Sequence, residues 1–503
     1  MKTNLFKSTK FLSVLGAVVL VVTALSLFFI GCGESSIANE ASGSPENFAA
    51  VLTTTAGEAK LTWDAPAEKG TIAGVAATDI SYKVYSSSSD ISDTAELTPV
   101  DAGADLSYTF SGTAGESWYF AVTANNGGAD SPLAKIGPFT LANQLQLDAN
   151  GGTGAVETKV FSTGDTTAIP APTGIAKTGS TLAAWNTAAD GSGTYYDLTE
   201  EIILTADLTL YAVWSTDGLA YTLINSDAEY SVSKGTATAT EIDVPGYWMG
   251  KKVTEVGTNA FEIYNFTDIK LPSTIKSIGI RAFYLCSNLA LTSLPDGVTS
   301  IGNYAFYDCS NLALTSLPDG VTSIGNNAFD NCTNLALTSL PDGIKSIGDQ
   351  AFLKCSNLAL TSLPDGITSI GDYAFASCSN LALTSLPDGI TSLGNQAFAG
   401  TTMTSMTIPA SVTSLGSSLF NNNGSITEIT LEGDYSELSN IFGSGTTALA
   451  TVNIPNDTTP ATLSGTVFPS SVTSIKVPAT AVDTYKTATG WTGYAGKISA
   501  YSS

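Results

Sequence analysis

Residues 286–308 read CSNLALTSLPDGVTSIGNYAFYD, and the chain then repeats that order at a step of 23 residues. Cys286, Cys309, Cys332, Cys355 and Cys378 keep the step, as do Phe283, Phe306, Phe329, Phe352, Phe375 and Phe398. Pro272, Pro295, Pro318, Pro341, Pro364 and Pro387 keep it as well. A unit this short cannot bury its own apolar face, so it stacks on copies of itself and builds a solenoid. Within one rung, Leu289, Leu291 and Leu294 are expected to feed the core around a short strand and the turn after it. Pro295-Asp296-Gly297 turns the chain, because Pro fixes φ and Gly accepts a positive φ. Val298 and Ile301 form a second buried pair that Gly302 ends. Ala305-Phe306 is expected on one helical or 3₁₀ turn, with Phe306 wedged between rungs, and Cys309 closes the loop.

Three columns follow from stacking at about 4.8 Å. Stacked cysteines fall within disulfide range, yet five is an odd number and Thr401 takes the next slot, so buried free thiols are expected. No CxxC spacing suggests zinc. Asp296, Asp319, Asp342, Asp365 and Asp388 form an acidic column, readable as turn formers or as a face for calcium or a basic partner. Asn-Leu-Ala-Leu-Thr-Ser-Leu-Pro-Asp-Gly recurs unchanged in five units, so diversity is confined to residues flanking Ala-Phe. There stand Arg281, Tyr284, Tyr304, Tyr307, Lys354 and Tyr373, the candidate ligand-binding residues. The Thr292/Ser293 ladder is the rival face, able to hold a repetitive ligand by avidity, and unit duplication with free drift at exposed sites accounts for the variation equally well.

The order Leu-Pro, Val/Ile-Thr-Ser-Ile-Gly, Ala-Phe, Cys resembles the BspA-like leucine-rich repeats, across residues ~219–503. The resemblance implies extracellular bacterial surface proteins, often adhesins. Leu219 to Gly257 reads as a degenerate opening cap, and Val477 to Ile498 as a closing cap with a short helix.

Composition points the same way. The 503 residues are 43% hydrophobic but only 13% charged, with 47 glycines, which favours turn-rich β structure. The net charge of −25 makes nucleic acid a poor partner. Histidine is absent, which removes the commonest general base and all His-ligated metal sites. Lys177-Thr178-Gly179 and Ser273-x-x-Lys276 are isolated fragments of catalytic motifs in the wrong order. The chain is expected not to be an enzyme and to need no cofactor, calcium being the one ion its carboxylates suggest.

Lys2, Lys7 and Lys10 precede an apolar run from Phe11 to Ile30 and then Gly31-Cys32, the layout of an export signal. Phe29-Ile30-Gly31-Cys32 resembles the lipobox of bacterial lipoproteins, which implies a signal peptide over 1–31, lipidation at Cys32 and a flexible tether over 32–44. An uncleaved membrane anchor is the alternative. Residues 45–142 alternate apolar runs with turns and resemble a fibronectin type III domain, with Trp63 inward and Trp118, Phe120, Val122 and Ala124 on one face before a turn at 125–128. Residues 143–215 resemble an internalin-type B-repeat, a small β-grasp-like unit: Asp148-x-Asn150-Gly151-Gly152, Ala184-Trp185 and Leu208 to Trp214 carry the likeness. Asp190-x-Ser192-x-Thr194 within it reads as a hairpin turn in preference to a calcium loop. The solenoid with its caps then fills 216–503.

The expected architecture is mainly β: sandwich, B-repeat and leucine-rich solenoid. The expected role is a lipid-anchored bacterial surface adhesin that binds protein or glycan ligands of host or neighbouring cells. The alternative is a structural envelope protein without a dedicated ligand.

Overall fold

The structure is a computed structural model that describes residues 45–501 apart from 54, 56, 67–79, 126–129, 163, 165 and 466. The export segment, Cys32, the tether and the turn at 126–128 lie outside the described residues. The chain is mainly β, with 34% strand and 3% helix.

Seven strands open it: β1 (Glu46–Leu52), β2 (Glu58–Asp64), β3 (Ser81–Ser87), β4 (Val100–Gly103), β5 (Ser107–Ser111), β6 (Ser117–Asn125) and β7 (Ala134–Thr140). They divide into two antiparallel sheets, ordered β1-β2-β5 and β4-β3-β6-β7. Alternation in β2 turns Ala59, Leu61 and Trp63 inward, against Tyr82 and Val84 of β3 and Phe120, Val122 and Ala124 of β6. Ala121 of β6 faces the other way, into a small cluster with Tyr85 and Ile91. Trp118 is only partly buried, against Phe110 at 4.8 Å.

The next module is a mixed five-stranded sheet of β8 (Asn143–Asp148), β9 (Glu157–Phe161), β11 (Ser180–Asn186), β12 (Tyr195–Tyr196) and β14 (Leu208–Thr216), ordered β12-β11-β14-β8-β9. β10 (Thr166–Ala168) and β13 (Glu201–Ile203) form a separate pair. Trp185 and Leu210 anchor its core. Asp190 accepts from Ser192 N at 3.0 Å and Ser192 Oγ at 2.6 Å, which closes the turn at that position.

This module is clamped onto the solenoid. Lys177 Nζ meets Asp243 Oδ2 at 2.6 Å, Asp243 N donates to Thr216 Oγ1 at 2.7 Å, and Tyr195 stacks on Tyr247 at 4.8 Å. Burial pushes the Tyr195 hydroxyl up to about 12. A side chain at Gly246 would overlap that hydroxyl, so the backbone's close approach requires glycine.

The solenoid makes about 12 turns. A hairpin of Ala220–Ile224 and Glu229–Ser233 starts it and pairs in parallel with Lys251–Val256. Two-residue parallel bridges then repeat at Ser277–Ile278, Ser300–Ile301, Ser323–Ile324, Ser346–Ile347, Ser369–Ile370, Ser392–Leu393 and Ser414–Leu415. The strand expected around Leu289–Leu294 does not form in the central rungs. There, Ala313 N to Leu291 O, Ala336 N to Leu314 O and their equivalents make one link per rung. Strands occupy that position on either side of the central rungs, at Glu241–Asp243 and Asp268–Lys270 before them and at Ser405–Ile408, Glu428–Leu431, Thr451–Asn453 and Ser474–Val477 after them. Those segments alternate polar residues with Ile, Met, Leu or Val, several of them β-branched, which suits a strand better than Asn-Leu-Ala-Leu.

The core is a column of rings. Phe283, Phe306, Phe329, Phe352, Phe375 and Phe398 are fully buried and stack at 5.1–5.8 Å within 14° of parallel. The cysteines are free and buried. Each thiol donates at 3.0 Å to the carbonyl of the phenylalanine one rung back, as Cys332 Sγ does to Phe306 O. Burial pushes Cys286 up to about 12 and holds the other thiols well above their ordinary value. Thr401 in the same slot turns back to its own rung and donates to Phe398 O at 2.9 Å. The helical cap, Ala479–Ala481, Val482–Thr487 and Thr492–Lys497, buries Tyr485 and Trp491 over the last rung.

Candidate functional site

Just after the two-residue bridges, the rungs are joined by a second ladder of a different kind. Around each Ala-Phe, three N–H groups donate to carbonyls of the next rung: Arg281 to Asn303, Phe283 to Ala305 and Leu285 to Tyr307. The first and third donors lie in the left-handed region, at φ 53° for Arg281 and 59° for Leu285. The pattern recurs at Tyr304 and Asp308, Asn327 and Asn331, Gln350 and Lys354, and Tyr373 and Ser377.

That backbone explains where the sequence is free to vary. The apolar core columns do not include these left-handed positions, so the core's repeat does not choose their identity. Asn and Gly adopt the conformation at least cost, whereas other residues pay roughly 1–2 kcal/mol. Arg281, Tyr304, Lys354 and Tyr373 all occupy such positions. Tyr284 and Tyr307 follow the phenylalanine of their rungs and form the neighbouring column.

Four of the six candidates meet. Tyr284 stacks on Tyr307 at 4.9 Å and 18°, and Tyr304 lies 6.4 Å from Tyr284 and 5.9 Å from Tyr307. The Arg281 guanidinium sits 5.3 Å from the Tyr284 ring centre and 5.5 Å from that of Tyr304, contacts each worth about 0.5–1 kcal/mol at an exposed site. Arg281 is the only arginine in the chain. Among the described residues it makes no ion pair, Glu262 one rung back included. Burial, with the nearby Asp330 and Asp308 carboxylates, raises the Tyr307 hydroxyl above its ordinary value.

Lys354 and Tyr373 stand apart from this group. Tyr373 shares a column with Tyr304 but lies three rungs on, where its hydroxyl accepts from Gln396 Nε2 at 2.7 Å. Lys354 lies in a third column, beside the rung that carries Asp330. Between the two sets, Asn327 and Asp330 are buried and joined at 3.2 Å, and Asn327 also donates to Gln350 Oε1 at 3.0 Å. This polar seam ends the aromatic cluster.

Sequence reasoning missed two members of the same surface. Ile263 is 68% exposed and Ile280 47% exposed. Ile263 N donates to Tyr284 O at 2.8 Å, so Ile263 borders the cluster, and Ile280 directly precedes Arg281. Ile263 also has φ 56°, the left-handed region that β-branched residues avoid. Its register with Leu285 and Asp308, the outward third position, was the signal that it is exposed.

The rival faces are open surface. Thr292, Ser293 and the acidic column are exposed, and a shallow groove runs between Ser293, Asp296, Ser316 and Asp319. Among the described residues no group of three or more Cys, Asp or Glu side chains converges as a metal site.

Comparison with known proteins finds family matches for two of the three modules. The BspA-type leucine-rich repeat region matches residues 254–382 and 346–472 in six copies. The Listeria-Bacteroides repeat domain matches residues 145–213, within the module that resembles a B-repeat. Among solved structures, a leucine-rich repeat protein of T. pallidum is 30% identical over 36% of this chain and 86% of its own, with a TM-score of 0.33. One from Bacteroides ovatus is 23% identical over 52% and 76%, with a TM-score of 0.38. A leucine-rich cell surface protein of Faecalibacterium prausnitzii is 22% identical over 57% and 94%, with a TM-score of 0.26. No curated protein matches.

Proposed function

We propose that this chain, whose solenoid belongs to the BspA-type leucine-rich repeat family, is a lipid-anchored bacterial surface protein that binds extracellular ligands as an adhesin. Cys32 would carry the lipid. The sandwich, with its resemblance to fibronectin type III domains, and the Listeria-Bacteroides repeat domain would act as spacers that hold the solenoid away from the membrane.

One observation carries the binding reading. On a scaffold whose rungs are otherwise nearly identical, three tyrosines and the only arginine gather on one exposed edge. Tyrosine and arginine are the residues that dominate binding hot spots. Two of these four, Arg281 and Tyr304, sit in a backbone conformation that Asn or Gly would adopt at lower cost. The monotony of the Leu-Thr-Ser-Leu face supports the second reading, a rod without a dedicated ligand.

A pull-down of the full chain against matrix proteins and intact cells separates the two readings. Retention that falls when Arg281, Tyr284, Tyr304 and Tyr307 are replaced together supports the adhesin. Retention by no surface supports the rod. Mass spectrometry of the mature N-terminus tests the anchor: a diacylglyceryl mass on Cys32 is expected, and an intact Met1 refutes it.

A further inference from the structure

We infer that Ile263, Ile280, Arg281, Tyr284, Tyr304 and Tyr307 form one protein-binding hot spot, and that the partner segment it takes presents a carboxylate flanked by apolar side chains. This rests on the adhesin reading above and specifies the chemistry of its ligand.

The apolar half of the site comes from Ile263 and Ile280. Both are exposed, so neither contributes to the rung core. Ile263 holds a strained backbone position where later rungs place Leu285, Asp308, Asn331, Lys354, Ser377 and Asn422, none of them β-branched. A β-branched side chain that is both strained and exposed gains nothing for folding, and such outliers point towards function.

The charged half is Arg281. Its guanidinium lies 5.3 and 5.5 Å from the centres of two tyrosine rings and makes no ion pair with a carboxylate of this chain among the described residues. A planar fork so positioned matches a carboxylate bidentately. The adjoining isoleucines favour a peptide over an acidic sugar, whose hydroxyl-rich rim would leave them unpaired.

The test is a panel of immobilised short peptides with identical apolar flanks and a central Glu, Gln or Lys, beside a panel of uronic-acid oligosaccharides, probed with the full chain. Glu peptides should be retained, and Gln should weaken binding by about tenfold, as expected for loss of a hot-spot charge. Arg281→Glu should move the preference to Lys. Ile263→Asn should weaken retention while raising the unfolding midpoint, a combination that misfolding does not produce. Equal retention of Glu, Gln and Lys peptides overturns the inference, as does retention that survives Arg281→Glu, or a response confined to oligosaccharides. Retention that instead follows Lys354→Ala or Tyr373→Ala overturns this placement while leaving the adhesin reading intact. Silence across both panels overturns the carboxylate chemistry, and the pull-down from matrix and cells then judges the adhesin reading separately.

Discussion

The cysteine column can be tested atom by atom at Cys332, in the middle of the stack. Its thiol is fully buried and donates at 3.0 Å to Phe306 O. The same carbonyl accepts Cys309 N at 3.1 Å, so removing the thiol does not orphan it. Cys332→Ala then loses about 1 kcal/mol of apolar burial. The void left by one sulfur adds roughly 0.5 kcal/mol, and the lost weak hydrogen bond a further ~0.5 kcal/mol. The expected cost is about 2 kcal/mol. Cys332→Ser separates burial from hydrogen bonding. In an apolar pocket without an acceptor, a buried hydroxyl would make Ser worse than Ala by about 1–3 kcal/mol. Because Phe306 O is within reach, Ser should be at least as stable as Ala. Urea unfolding followed by far-UV circular dichroism, with slopes matching the parent chain, reads both differences. A serine variant more than about 1 kcal/mol below the alanine variant would falsify the role given to the carbonyl.

Three further outcomes follow from the packing. Gly246→Ala places a methyl group on the Tyr195 hydroxyl and should cost about 2 kcal/mol, seen as faster protease cleavage between residues 215 and 250. Asp330→Asn should stabilise the chain at neutral pH. Burial raises the Asp330 carboxyl above its ordinary 3.8, so its contribution is fully present below that value and is lost as pH rises through the folded pKa. The gain should therefore vanish in acid, which denaturation midpoints at two pH values will show; a pH-independent gain refutes the assignment. The five buried thiols should resist a maleimide in the native chain and react only on unfolding, because both burial and raised pKa suppress the thiolate. Labelling of Cys332 under native conditions would contradict the stacking.

Much of this was readable in the linear chain because the solenoid's constraints are local and periodic. Leu289, Val298, Ile301 and Phe306 recur with the rung, and all are buried. The misread strand at Leu289–Leu294 shows the limit. An apolar run with period two is compatible with a strand, but one interstrand link per rung does not make one. Cysteine burial was legible from the odd count, whereas the thiol's acceptor was not, since it is a backbone carbonyl one rung away.

What the sequence determined by itself was therefore the repeat, its inward columns and the edge where variation is allowed. Stacking identical units leaves few alternatives, so period alone specifies the scaffold. Only the tertiary structure decided which variable residues share a site. The left-handed positions beside each Ala-Phe lie outside the apolar columns, and the rung-to-rung ladder joins Ile263 N to Tyr284 O as it joins Leu285 N to Tyr307 O. Arg281, Tyr284, Tyr304 and Tyr307 then converge across two rungs, while Lys354 and Tyr373, equally conspicuous in the sequence, are carried away along the axis by the stacking that makes the scaffold regular.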